Sequence, residues 1–493
     1  MKPSVVAVLD VGKTNKKLSA YSRDLEVVAE QRTTLEPNER DGLEVEATDE
    51  LNAWFRQALK QLAADCDIQA VAITTHGATC AVLDESGGLA YPVISYTSEK
   101  GAEIQDAFYE AFGDRETLHR ATCTPDLGFA NLGKALFYLK TRMPEIWARC
   151  RHALFYPAYL GYELTGQRGM EHTYLGNHSY LWDFHEFTWS SVAKGLGADR
   201  LFPSSLSNPW ERLGTVKPAI AAECGLSPDC PVTIGLHDSN ANLLPYLAKG
   251  YEDFLLNSTG TWCVAMRQSK TADFTDEEIR AKVLYNLDAF GNPLKTSIFP
   301  AGMEYDTFRA FTDARDEADF AALREVVARR DLFVIPGVLP DATAFPGATA
   351  RVVHEGRESL LADLERDGGK SMAHLGQHYY GALNLSLALA TRATLGRCGA
   401  QPGTTVLVEG GFANNKSYCA LLAALCPDNT IALTNMKEGT SLGAAITGWM
   451  VGEGLDLAEV GARFTIETKP IPVEDLGDLG AYSAAFDALV AAH

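Results

Sequence analysis

Two short stretches of this chain carry the same device. Leu9-Asp10-Val11-Gly12-Lys13-Thr14-Asn15 and Leu256-Asn257-Ser258-Thr259-Gly260-Thr261-Trp262 each sit at the end of an apolar run, residues 5–9 and 254–256. Each leads into a second run whose apolar side chains alternate, Leu18 and Ala20 in one, Trp262, Val264 and Met266 in the other. Alternation on both sides of a small polar turn predicts a β-hairpin. The glycine in each turn lets the backbone bend sharply and aim successive N–H groups at one anion. A phosphate clamp built twice restricts the fold to two similar halves that grip one nucleotide from both sides. Between them, Gly235-Leu236-His237-Asp238 ends an apolar strand in an aspartate. The pattern implies ATP-dependent phosphoryl transfer.

The 493 residues suit two large domains with insertions, or three smaller ones. A formal charge of −21 argues against nucleic acid or an anionic membrane surface as partner. Positive charge for a phosphate site must then be local, and Lys13, Lys16 and Lys17 supply it beside the first turn. The N-terminal residues lack a secretory pattern and no run approaches the length of a membrane helix, so the cytoplasm is the expected compartment. Ten cysteines form no Cys-x-x-Cys pair, which predicts reduced, buried thiols without a metal role.

Along the chain, residues 4–32 read as three strands and residues 50–64 as a helix with Leu51, Trp54, Phe55, Leu59 and Leu62 on one face. A buried strand at 70–74 ends in Thr75-His76-Gly77-Ala78, and a strand pair is expected at 81–83 and 92–96. Residues 371–395 have amphipathic helical spacing. A strand at 405–408 opens through Glu409-Gly410-Gly411-Phe412-Ala413-Asn414-Asn415 onto a helix at 417–425, where flat glycine backbone suits a nucleotide's base or sugar. Small residues from Gly439 to Ala445 predict a helix packed closely on that layer. The cluster at 174–182, rich in aromatic residues and histidine, reads as a packed insertion first and as a pocket lining second. Strands alternating with helices indicate an α/β class with ligand contacts at strand ends, where His76, Tyr96 and Asp238 fall. The hairpin pattern restarts after Lys249-Gly250, which divides the chain into 1–249 and 250–493.

These motifs, in this order, resemble the FGGY family of carbohydrate kinases over nearly the whole chain. That family's Asp-x-Gly-x-Thr motif is matched by Asp10, Gly12 and Thr14, its Gly-Thr by Gly260 and Thr261, and its Gly-x-x-Asp by Gly235 and Asp238. The adenosine motif is matched by Gly410 and Gly411 with Asn414 and Asn415, the lysine-bearing helix by residues 133–140, and a Leu-Thr-Gly hairpin by Leu164, Thr165 and Gly166. The resemblance implies an α/β fold of two similar actin-like (ribonuclease H-like) ATPase domains around a central cleft. It implies ATP and Mg2+ as cofactors, a sugar as substrate and a homodimer as assembly. Asp238 is then the general base and Asp10 the Mg2+ ligand. Gly12, Lys13, Thr14, Asn15, Lys17, Gly260, Thr261, Gly302, Gly410, Gly411 and Asn414 would contact ATP. His76, Gly77, Tyr96 and Phe129 would join Asp238 at the sugar.

Three positions depart from the family pattern. Lys13 stands where threonine or alanine is common, and Lys17 where an arginine often binds phosphate. The sugar loop, Trp-x-Asp-x-Arg in many members, is Tyr96-Thr97-Ser98-Glu99-Lys100 here. Residues 73–96 are most similar to fuculokinases and then to rhamnulokinases, which act on 6-deoxyketoses such as L-fuculose and L-rhamnulose. An actin- or Hsp70-type conformational ATPase and a catalytically silent sugar sensor are the two other readings of the same motifs.

Overall fold

The computed structural model describes residues 2–340 and 342–492. Strands β1 (Ser4–Val11) and β2 (Asn15–Tyr21) form the expected antiparallel hairpin, and β3 (Val27–Thr34) pairs antiparallel to β2 at the sheet's edge. Helix α1 (Thr48–Asp65) buries Leu51, Phe55, Leu59 and Leu62 in the same core as the inner side chains of β1, a stripe at helical spacing. Strand β4 (Asp67–Thr75) runs parallel to β1, while β5 (Pro231–Thr233) and β6 (Leu236–His237) run parallel to β4. With both faces covered, β1 and β4 read as continuous apolar runs.

The second sheet repeats this plan. Strands β7 (Phe254–Thr259) and β8 (Cys263–Gln268) form its hairpin, and β9 (Pro293–Phe299) pairs antiparallel to β8. On the other side β10 (Thr405–Gly410) lies parallel to β7 and β11 (Thr430–Thr434) parallel to β10. The orders β3-β2-β1-β4-β5 and β9-β8-β7-β10-β11 match strand for strand, so the two phosphate-type turns occupy equivalent places.

Two helices knit the halves together. Helix α2 (Asp238–Ala248) follows the first sheet, yet Leu243 and Tyr246 pack with Phe254, Leu256 and Leu407 of the second. Helix α3 (Gly376–Arg397) and helix α4 (Lys416–Leu425) cover the second sheet. Helix α5 (Gly439–Glu453) follows the second sheet, yet Ile446 and Trp449 pack with Val6, Val8 and Ala72 of the first, and the Trp449 indole donates to the Ser22 carbonyl at 2.9 Å. A Cβ on Gly443 would overlap the Ala241 carbonyl and one on Gly439 the Asn242 side chain. The small residues therefore pack against α2, not against the nucleotide layer expected from sequence.

Other expectations need correction. Residues 92–96 form no strand: Cys80–Leu83 pairs instead with His152–Phe155, and Ile94 makes one isolated bridge to Val45. Pro92 has no N–H to give a ladder. Leu164-Thr165-Gly166 closes helix Tyr156–Thr165, with Gly166 at φ 74° as a left-handed cap rather than a hairpin turn. Helix α3 is buried around most of its circumference, not striped, because it lies between packed layers. Among the described residues no helix is long and apolar enough to cross a membrane.

Candidate active site

The first turn is closed by the Gly12 N–H donating to the Asn15 carbonyl at 3.0 Å. Beneath it lies Lys16, almost fully buried, whose Nζ donates to the carbonyls of Gly12 at 3.1 Å, Lys13 at 2.5 Å and Thr14 at 3.4 Å. In a trans peptide the next N–H points opposite to the carbonyl. With those carbonyls drawn under the turn, the amides of Lys13, Thr14 and Asn15 face the open side, an arrangement that attracts an anion. Lys16 thus orients the turn, a role that charge counting alone did not reveal.

In the second turn the Gly260 N–H donates to the Trp262 carbonyl at 2.9 Å, and the Gly302 N–H donates to Thr261 at 3.0 Å. A Cβ at Gly302 would stand 2.6 Å from the Gly260 carbonyl oxygen. Gly410 sits at φ 84° against the Thr259 carbonyl, a conformation and a clearance that only glycine meets. Gly260, Thr261, Gly302, Gly411 and Asn414 line one open cavity of about 380 Å³, walled by Tyr305, Tyr380 and Phe412. Those aromatic walls suit a purine and had no sequence signal of their own. Asn415 is turned to structure: its Oδ1 caps α4 at the Tyr418 N–H and its amide donates to Asn384 at 2.7 Å.

Asp10 lies at the end of β1, beside Ser441 of α5. Its Oδ2 accepts from Ser441 Oγ at 2.6 Å and lies 3.4 Å from Lys17 Nζ, while Oδ1 has no hydrogen-bond partner among the described residues. Burial raises its pKa above the usual carboxylate range, and the charge of Asp238 adds to this against the opposing pull of Lys17 and Ser441. Lys17 also pairs with Glu438, which Arg32 reaches at 3.3 Å.

Asp238 is the first residue of α2, where the helix dipole favours a carboxylate. Its Oδ1 accepts from the Ser239 N–H at 2.6 Å and lies 3.1 Å from His237 Nε2. The Asn240 amide nitrogen beside Nδ1 only donates, so Nδ1 accepts and the proton of the neutral ring sits on Nε2. Burial depresses His237 to about 3, so the ring is neutral and Nδ1 is left as acceptor, 3.4 Å from the Asn240 amide nitrogen. Asp238 Oδ2 has no partner among the described residues. Burial raises the Asp238 pKa, opposed by the field of His76 when that ring is protonated. Helix α2 is bound to the second half through Glu409, which accepts from the Asn242 amide and from Tyr246 OH at 2.8 Å. The helix that carries Asp238 and the glycine turn of the cavity therefore share one carboxylate.

Around Asp238, the His76 ring lies 5.2 Å from that of Tyr96, with Nδ1 3.1 Å from the Gly77 carbonyl. Tyr174 OH fixes this loop, donating to the His76 carbonyl at 2.9 Å and accepting from the Thr79 N–H at 3.0 Å. Gly77 leaves no room for a side chain: a Cβ would lie 2.9 Å from His237 Nε2 and overlap the Asn177 amide. His76 Nε2 and both polar atoms of the Asn177 side chain are buried without a partner among the described residues. Unpaired buried polar groups on both sides of one glycine mark a place for hydroxyl groups. Asn177 belongs to the cluster at 174–182, and its place beside Gly77 favours the pocket-lining reading of that cluster over the packed one at this residue.

Two expected contacts lie elsewhere. Phe129 is 2% exposed and packs edge-on against Tyr138 at 5.5 Å and under Gly101, so its ring belongs to the core, not to the cleft wall. The Lys13 ammonium leaves the phosphate turn and binds Glu46 at 2.9 Å and Ser95. Of the other expected residues, Gly260, Thr261, Gly302, Gly411 and Asn414 share one cavity, while Asp10, Asp238, His76 and Tyr96 are coupled through their charges.

A duplicated sheet with an anion-type turn on each copy and two carboxylates between them is the actin-like ATPase architecture. The model of the FGGY family of carbohydrate kinases, N-terminal domain, matches residues 5–245, and that of carbohydrate kinase FGGY, C-terminal domain, matches residues 251–454. The chain belongs to the FGGY family of carbohydrate kinases. It is 30% identical over 286 residues to an L-fuculokinase of Escherichia coli (strain K12), covering 55% of this chain and 58% of that protein's length. The crystal structure of a carbohydrate kinase from Novosphingobium aromaticivorans is 28% identical and covers 100% of this chain and 99% of its own, with a TM-score of 0.81. A xylulose kinase from Lactobacillus acidophilus, 16% identical over 99% of this chain and 97% of its own, shares the fold with a TM-score of 0.81.

Proposed function

We propose that this protein is an ATP-dependent sugar kinase that transfers the γ-phosphoryl group to a hydroxyl of a ketose, with 6-deoxyketoses such as L-fuculose and L-rhamnulose as the first candidates. The observation that carries this reading is Asp238: Oδ1 accepts from the Ser239 N–H, Oδ2 has no partner among the described residues, and the charge of the carboxyl is felt by His76, Tyr96 and Asp10. Residues 1–249 would hold the sugar and one phosphate turn, and residues 250–493 the nucleotide. The E. coli relative's name supports the deoxyketose preference.

Phosphoryl transfer has a loose transition state, so the protein chiefly positions, neutralises charge and removes one proton. Asp238 Oδ2 would accept the proton of the attacking hydroxyl, while the Ser239 N–H holds Oδ1, and with it the orientation of the carboxyl, with His237 Nε2 3.1 Å away. Such a base contributes on the order of 10² to 10⁴-fold. The amides of the first turn and of Gly260 and Thr261 would bind phosphate oxygens, with Lys17 beside them, and Gly411 and Asn414 would bind the adenosine. Mg2+ is held by few carboxylates and keeps several waters, so the free Oδ1 of Asp10 fits it as a single ligand. Bound there, the ion would neutralise phosphate charge.

The test is coupled ADP release with Mg·ATP across ketoses, deoxyketoses, aldoses and polyols, with a no-sugar control. One strong responder is expected. Equal hydrolysis with and without sugar would favour a conformational ATPase, and silence in protein that binds ATP would favour a sugar sensor.

A further inference from the structure

Resting on the sugar-kinase reading, we infer that Lys13 and Glu46 form the polar wall that reads the sugar, and that this charge-neutral pair selects neutral sugars over sugar acids. The pair borders the loop at 96–100, since Lys13 bonds Ser95 and stands beside Tyr96. Lys13 starts from the first phosphate turn, but its Nζ donates to Glu46 Oε1 at 2.9 Å and to Ser95 Oγ. It also stands 5.4 Å from the centre of the Tyr96 ring, which neighbours His76. The basic residue of the loop itself, Lys100, points to the surface and pairs with Glu103 at 2.5 Å.

Glu46 is buried, and the Lys13 side chain is the more open partner, 23% exposed against 3%. A buried carboxylate needs a compensating charge. Burial alone would raise the Glu46 pKa, but the fields of His76 and Lys13, with the hydrogen bond from Lys13, outweigh it. Thr97 fixes Ser95 by bonding its Oγ at 2.9 Å, and itself donates to Glu44 at 2.7 Å. An ammonium has three donors, and Glu46 and Ser95 occupy two, so one is left for a substrate hydroxyl. A sugar carboxylate would share that one cation with Glu46 and face Asp238 as well. A neutral polyol meets no such repulsion.

The experiment is calorimetric titration, without nucleotide, of L-fuculose and of D-gluconate into wild type, Lys13→Met and Glu46→Gln, with ADP affinity and thermal unfolding measured on the same proteins. Wild type is expected to bind L-fuculose and to bind gluconate far more weakly. Lys13→Met is expected to weaken L-fuculose about ten- to a hundredfold, the effect of one hydrogen bond to a charged group, with ADP affinity within about twofold. Glu46→Gln leaves the ammonium uncompensated and is expected to raise gluconate affinity by about tenfold or more. The inference is overturned if Lys13→Met weakens ADP and not the sugar, if wild type binds gluconate as well as L-fuculose, or if folded Glu46→Gln gains nothing for gluconate. Failure of the kinase reading is separate, and is seen as ADP release by wild type that no sugar stimulates.

Discussion

His237 Nε2 lies 3.1 Å from Asp238 Oδ1, and the Ser239 N–H occupies the same oxygen, so the carboxyl offers only Oδ2 to a reacting hydroxyl. Asp238→Asn keeps the shape of the group and removes its basicity. Turnover is expected to fall by at least about 10²-fold with sugar affinity close to wild type. Thermal stability is expected to hold or rise, because burial raises the Asp238 pKa and its ionised form is costly to bury. Steady-state kinetics and thermal unfolding of the variant check both, and near-normal turnover would remove Asp238 from the base role.

The pH profile follows from the same burial. The base must be ionised, and its pKa is raised above 3.8 by desolvation, so kcat/KM for the sugar is expected to fall with decreasing pH from an apparent pKa above the ordinary carboxylate value. Asp10 and His76 sit in the same field, so the apparent value belongs to the group. A profile measured with saturating ATP tests this, and a rate that is flat down to pH 4 contradicts it.

Stability should respond to acid in a defined window. His237 is neutral in the fold, with its pKa lowered from 6.5 to about 3 by burial, so between those values the unfolded chain binds the proton and the native state does not. Its contribution is complete above pH 6.5 and is lost as pH falls towards 3, at up to about 1.4 kcal/mol per pH unit. His178 and His119, both lowered to about 4, act in the same sense. Asp10 and Asp238, with raised values, act in the opposite sense as they take up protons in the fold. Glu171 and Glu304, both pushed up to about 7 by burial, likewise gain stability as pH falls, so the test is a difference: chemical denaturation at pH 7, 6 and 5 is expected to show the midpoint of wild type falling relative to that of His237→Asn.

The elements that recur along the chain are legible: both hairpins, the strand ends carrying Asp10 and Asp238, and the glycine turns at 260 and 410 follow from local spacing, while the roles of those residues rest on the family resemblance. Contacts between distant residues were not. Ser441 meets Asp10 across 431 positions, and Glu409 meets Asn242 across 167. No local pattern ties either pair together. Lys13 shows the same limit, since its place in the phosphate turn is local while the direction of its side chain is set by Glu46, 33 positions on. Phe129 was misplaced because an aromatic residue beside a predicted cleft and one beneath it look alike in sequence.

The crossing of α2 and α5 connects packing with catalysis. A Cβ added at Gly443 would overlap the carbonyl of Ala241, three residues from Asp238, and backbone cannot swing aside as a side chain does. Gly443→Ala therefore has to push α2 away from α5 or tilt it. Because Asn242 and Tyr246 also bind α2 to Glu409, the shift would displace Asp238 relative to the nucleotide cavity. A misplacement of about 1 Å can cost on the order of 10²-fold in rate. Gly396, near the end of α3, provides the control: a Cβ there meets nothing, so Gly396→Ala is expected to be neutral or to stabilise by about 0.5–1 kcal/mol. Gly443→Ala is expected to lower both the unfolding midpoint and kcat while Gly396→Ala lowers neither. Equal behaviour of the two would mean that the helix crossing does not fix the position of the carboxylate.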